Sequence, residues 1–243
     1  MPAATFTWIP VFRAVAAWLP GYETRQPELV QILKDVGIDA GLDDKDANEQ
    51  TIPLQAIDPF TFFCMFMKYG IEKRKQLFAK LIQIAELDVA APTDFDGVPS
   101  ANAMKVWLFP FQRNRQDWMI PTLWQLFKTA RSGLDADAFA RALKIPGTGF
   151  TKLTQALFYV VPERYFPIDT QTRPWLQAIG IASPEPTLPA YLATLQSTAG
   201  EPLVEGGSEL YAALAGDCHS HSNWSDGGSP IEEMVLTAVE TGH

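Results

Sequence analysis

The chain has 243 residues, 47% of them hydrophobic and 12% aromatic, enough apolar material for a sizeable core and too much for a disordered polymer. It carries 28 acids against 19 bases, a net charge of −9, which argues against a strongly basic, nonspecific nucleic-acid binder. No apolar run reaches the roughly 20 residues of a membrane span, and the opening Met1-Pro-Ala-Ala-Thr-Phe-Thr-Trp8 lacks the basic-then-apolar pattern of a signal peptide, so a cytoplasmic protein is expected.

In chain order, Phe6, Ile9, Phe12, Val15, Ala16 and Leu19 fall at helical spacing, and Pro20-Gly21 ends that segment. Pro27 to Val36 reads as a second helix with Pro in its first turn and Gly37 as its stop. Asp43 to Gln50 is polar and reads as a loop. Asp58 is placed to cap an aromatic-rich helix running to Tyr69. Glu72–Leu87 is amphipathic, and Ala91-Pro-Thr-Asp-Phe-Asp-Gly-Val-Pro99 is rich in turn residues. Ala101–Phe109, Thr122–Ala130 and Asp135–Leu143 are further helix candidates. Ile145-Pro-Gly-Thr-Gly-Phe-Thr-Lys152 reads as a Gly hairpin entering a helix. No strong period-two alternation is present, so the expected fold is mainly α without a large sheet.

The charge is unevenly placed. No Lys or Arg follows Arg173, whereas nine acids do, which leaves 19 acids against 19 bases up to that point. The shift suggests two units, with residues 1–180 a helical module, 181–190 a Pro-rich linker, 191–215 a helical lead-in and 216–243 a second unit. Only Cys64 and Cys218 are present, and two free thiols are favoured over one disulfide.

His219-Ser-His221 puts two imidazoles on one side of an extended strand, and Asp226 follows in Ser225-Asp-Gly-Gly228. Two imidazoles and a carboxylate suit zinc or manganese, and two ligand-free loop histidines are the bland alternative. Asp217-Cys-His-Ser-His-Ser-Asn-Trp-Ser-Asp-Gly-Gly-Ser-Pro-Ile-Glu-Glu-Met234 resembles the opening motif of the PHP (polymerase and histidinol phosphatase) family, with Cys218 in place of the usual Leu. The resemblance implies the first strand and helix of a distorted β/α barrel, a multinuclear divalent-metal site and phosphoester hydrolysis. It places His219, His221 and Asp226 among the metal ligands. The family's later ligands are absent before Thr241-Gly-His243, so a truncated phosphoesterase, inactive by itself and poorly ordered over 216–243, is the expectation. No catalytic residue is assigned.

Residues 5–176 resemble the N-terminal region of some McrB-like AAA-type restriction ATPases. The matching blocks include Thr7-Trp-Ile-Pro10, Ile57-Asp-Pro-Phe-Thr-Phe-Phe63, Lys105-Val-Trp-Leu-Phe109, Leu123-Trp-Gln-Leu-Phe127 and Pro162-Glu-Arg-Tyr-Phe-Pro-Ile-Asp169. That resemblance implies a DNA- or target-sensing module, and no Gly-x-x-x-x-Gly-Lys-Ser/Thr motor motif accompanies it. Phe60, Phe62, Phe63, Phe66, Trp107, Phe109, Trp124 and Phe127 read as core aromatics rather than a base-stacking surface, and Asp94 and Asp96 read as turn residues rather than metal ligands.

The 145–152 segment looks like the hairpin of helix-hairpin-helix proteins, in which exposed amides hold a DNA phosphate. Gly147, Gly149 and Lys152 are the candidate phosphate contacts. It departs from the helix-hairpin-helix DNA glycosylases, where the resemblance would make Lys152 the nucleophile and Asp169 the acid. One extra residue precedes Lys152, and Gln171 stands where that family has His. The function expected is a fragment of a nucleic-acid-related, metal-dependent phosphoesterase carrying an N-terminal sensing module. The alternatives are a non-enzymatic DNA-binding or sensing module of a restriction or defence system, and a chimeric reading frame.

Overall fold

The computed structural model describes residues 6–198 and is mainly helical over them. Helix α1 (Trp8–Trp18) buries Ile9, Phe12, Val15 and Ala16 of the stripe its spacing forecast, and Trp8 and Val11 besides. A 3-10 turn over Leu19–Tyr22 leads to α2 (Gln26–Val36), which ends where Gly37 takes φ +101° and its N–H reaches back to the last carbonyls. The turn-rich loop at 92–99 locks onto the start of α1, because Asp94 Oδ2 accepts from the Thr7 amide at 2.8 Å and Trp8 Nε1 donates to the Asp96 carbonyl at 3.0 Å.

Helix α3 (Pro59–Met67) is the centre of the body. Every one of its residues is buried, as a helix apolar at every position but Thr61 requires, and it packs against α2, α4 (Ile71–Ile84), α5 (Met119–Thr129) and α7 (Phe150–Val160). Its N-terminus is capped by Asp58, whose Oδ1 accepts from the amides of Phe60 at 2.9 Å and Thr61 at 3.0 Å. Arg74, buried at the start of α4, donates to the Met67 carbonyl at 2.8 Å and to Ser100 Oγ at 2.6 Å, tying the end of α3 to the loop that follows α4.

Two expectations need correction. The polar 43–50 segment is not all loop: β1 (Asp43–Lys45) pairs antiparallel with β2 (Thr51–Pro53), Asp44 opposite Ile52. Side-chain capping closes this hairpin rather than apolar alternation, since Asp46 Oδ1 accepts from the amides of Asn48 at 2.9 Å and Gln50 at 2.8 Å. The 101–109 segment is not a helix. Its backbone groups go to other parts of the fold, and Pro110 disfavours the helical conformation at Phe109.

Helix α6 (Ala136–Ala142) is capped by Asp135 and leads through a turn into α7, and α8 (Thr172–Ala178) follows. Helix α9 (Leu188–Ser197) packs against α6 and puts Leu188, Tyr191 and Leu195 into the common core. The Tyr191 hydroxyl donates to the Phe166 carbonyl at 2.8 Å. The Pro-rich stretch at 181–190 therefore does not separate α9 from the packing of the first 180 residues. Among the described residues no helix is long and apolar enough to cross a membrane. The rest of the expected helical lead-in after residue 198, and the strand and helix expected within 216–243, lie outside the described residues.

Candidate functional site

The 145–152 segment folds as its composition demands. The Thr148 amide donates to the Ile145 carbonyl at 3.0 Å, Pro146 occupies the second position, and Gly147 has φ +92°. This is a turn of the type that needs Pro and then Gly. A Cβ on Gly147 would meet nothing within 4 Å, so conformation and not space requires the glycine. Gly149 is the N-cap of α7 in an ordinary extended conformation, with no side-chain cap.

Lys152 lies one turn into α7 and points inward. Its ammonium donates to the Gly147 carbonyl at 3.1 Å and to the Trp107 carbonyl. Burial pushes it below its ordinary range, Cys64 and Asp58 pull the other way when ionised, and the charge of Lys105 adds to the lowering. Lys152 thus staples the turn to the irregular 104–111 segment. Three more bonds hold that segment: Trp107 Nε1 to the Gly41 carbonyl at 2.8 Å, the Leu108 amide to Thr61 Oγ1 at 3.0 Å, and Thr148 Oγ1 to the Leu108 carbonyl.

These ties enclose a pocket of about 360 Å³, within the usual range for small-ligand sites. Trp107, Phe109 and Phe111 line it, two residues apart along the irregular stretch. The Trp107 ring lies 5.2 Å from Phe109 at 33° and 5.5 Å from Phe111 at 73°, so one ring backs it and the other stands across it as a wall. Met104, 90% exposed, and Phe111, 40% exposed, form the mouth. Lys105, Lys152, Asp43 and Asn114 bring polar groups to the same space.

A buried ion pair braces the rim. Arg115 meets Asp44 Oδ2 at 2.7 Å, Asp44 Oδ1 accepts from the Gln112 amide at 2.8 Å, and Arg115 lies over the Phe109 ring at 5.1 Å. The hairpin β1–β2 is thereby fastened to the segment just after Phe111.

The structure brings Gly147 and Lys152 to one pocket, with Gly149 beside it at the start of α7. It adds Met104, Lys105 and Phe111, which sequence reasoning passed over. The signal was the alternation Trp107, Phe109, Phe111, which has an extended period within a stretch read as helical. Of the expected core aromatics, Phe60, Phe62, Phe63, Phe66, Phe109, Trp124 and Phe127 are buried, whereas Trp107 is only partly so. Asp94 is engaged with Thr7, and Asp169 Oδ1 accepts from the amides of Gln171 and Thr172 at the start of α8. Among the described residues no group of three or more His, Cys, Asp or Glu side chains is placed to hold a metal ion. His219, His221 and Asp226, with Cys218, lie outside the described residues.

A family model described as Domain of unknown function (DUF8425) matches residues 8–202. No curated protein and no solved structure matches the chain.

Proposed function

The chain belongs to the family described as Domain of unknown function (DUF8425), and from that premise we propose that its helical body is a nucleic-acid-sensing module. In this reading the α6–turn–α7 segment acts as a helix-hairpin-helix-like element, in the role the McrB-like N-terminal region suggests. The same chain then carries, at His219, His221 and Asp226, the opening ligands of a PHP-type phosphoesterase that uses zinc or manganese. The metal would clamp a phosphate and supply an activated water.

The pocket is the observation that carries the reading. The Gly147–Lys152 turn and the Trp107–Phe111 stretch close it together, which sets two lysines beside aromatic rings. Cations beside π-faces favour nucleic acid, because phosphates answer the first and bases the second. The acidic net charge of the whole chain predicts modest affinity concentrated at this place rather than binding spread over the surface.

The test is a titration of the full chain with duplex and single-stranded DNA of one length, from about 50 to about 200 mM salt. Binding should weaken with salt by roughly one logarithmic unit per unit of log salt for each phosphate engaged. Lys152→Ala, which releases the staple between the turn and the Trp107 carbonyl, should reduce it, with thermal melting recorded alongside to separate binding from folding. No binding of either DNA at the lowest salt would remove the sensing role.

A further inference from the structure

We infer that the 360 Å³ pocket receives a single nucleotide, its base against Trp107 and Phe111 and its phosphate on Lys105. The inference rests on the nucleic-acid reading above for the choice of a nucleotide over other flat anions, and it names which residues take which part of the ligand.

Four observations carry it. The Trp107 ring is held before any ligand arrives, through Nε1 by Gly41 and through its carbonyl by Lys152, and Phe111 stands across it at 73°. A rigid floor and wall suit a flat ring and lose little entropy on binding. Next, the two cations have different duties. Lys152 is occupied by two backbone carbonyls, whereas Lys105, on the same pocket, makes no ion pair or side-chain hydrogen bond among the described residues. An exposed ammonium with no internal partner, beside an aromatic slot, is complementary to a phosphate attached to a ring.

The edge of the slot is polar as well. Asn114 offers an amide donor and acceptor, and Asp43 an acceptor for an exocyclic amine. A purely hydrocarbon ligand would leave Lys105, Asn114 and Asp43 without a counterpart. Finally, Met104 at the mouth is 90% exposed, and such an exposed thioether beside aromatic groups suits contact with a ring face.

The nucleotide has two sources, free in solution or unstacked within a strand, and the experiment separates them. Calorimetric titrations of the full chain would use AMP, a short single-stranded oligoadenylate that presents the same base within a strand, and ribose 5-phosphate as a phosphate without a base. Saturable binding is expected for AMP, for the oligonucleotide or for both, and none for ribose 5-phosphate at the same concentrations. Phe111→Ala and Lys105→Ala should each weaken binding about tenfold or more, and Lys105→Ala, at an exposed side chain, should leave the melting temperature unchanged.

AMP binding alone points to a free nucleotide, and oligonucleotide binding alone to a base presented by a strand. Absence of binding by both nucleotides, equal binding of ribose 5-phosphate, or undiminished binding by both variants would overturn the assignment. If the chain still binds DNA in a salt-dependent way while both pocket variants match wild type, only the pocket assignment falls. If AMP binds and no DNA does, the pocket stands and the DNA-sensing role falls.

Discussion

Asp58 Oδ1 caps α3, while its buried Oδ2 has no hydrogen-bond partner among the described residues. Desolvation raises its pKa from 3.8 to about 6, with the Thr61 hydroxyl and the amides of Thr61 and Phe60 opposing. The folded state therefore holds this proton more tightly than the unfolded chain does. Its contribution is greatest below pH 3.8 and is lost as pH rises toward 6, by about 3 kcal/mol. Asp58→Asn keeps an acceptor for the two amides and removes the titration. Its unfolding free energy, measured by denaturant titration at several pH values, should lack the decline that wild type shows between about pH 4 and 6. An unchanged slope would mean that Asp58 titrates normally. Nearby, Cys64 is buried in α3 and its thiol is pushed up to about 12 by desolvation, so it behaves as a small apolar filler rather than a nucleophile.

At the scale of elements, the turn before α7 separates two glycines that look alike in sequence. Gly147 sits at φ +92°, where an L side chain is strained, and Gly149 sits in an extended conformation with open space at its Cβ position. Gly147→Ala should destabilise by about 1–2 kcal/mol, and Gly149→Ala should stay within about 1 kcal/mol of wild type, read from thermal melts. Equal losses would mean that the turn has a different conformation. The ion pair Arg115–Asp44 matters for the same region, because it holds the hairpin β1–β2 against the end of the aromatic stretch. Removing one partner would leave a buried charge exposed to desolvation, a loss of about 3–5 kcal/mol.

At the scale of the whole molecule, α9 closes the body rather than trailing from it. Tyr191 is fully buried, stacks with Phe139 at 6.3 Å and 18°, and bonds to the Phe166 carbonyl. A chain ended at residue 187 should melt well below one ended at residue 198, since about 3 kcal/mol is typical for losing one such buried aromatic. Matching melting curves would show that the module is complete without α9. The family match over residues 8–202 spans this helix too. The residues by themselves determined the helical class, the burial of α3, the cap at Asp58 and the Pro-Gly turn, because each follows from local spacing or from one residue's conformational preference. Only the tertiary structure decided the fate of residues 101–109: bonds from Thr61, Thr148 and Lys152, distant in sequence, outweigh local helical propensity there. The pocket arises from that same competition. Its walls come from residues near 41, 107 and 147, and no local pattern records that a lysine on one helix will find the carbonyl of a tryptophan 45 residues earlier.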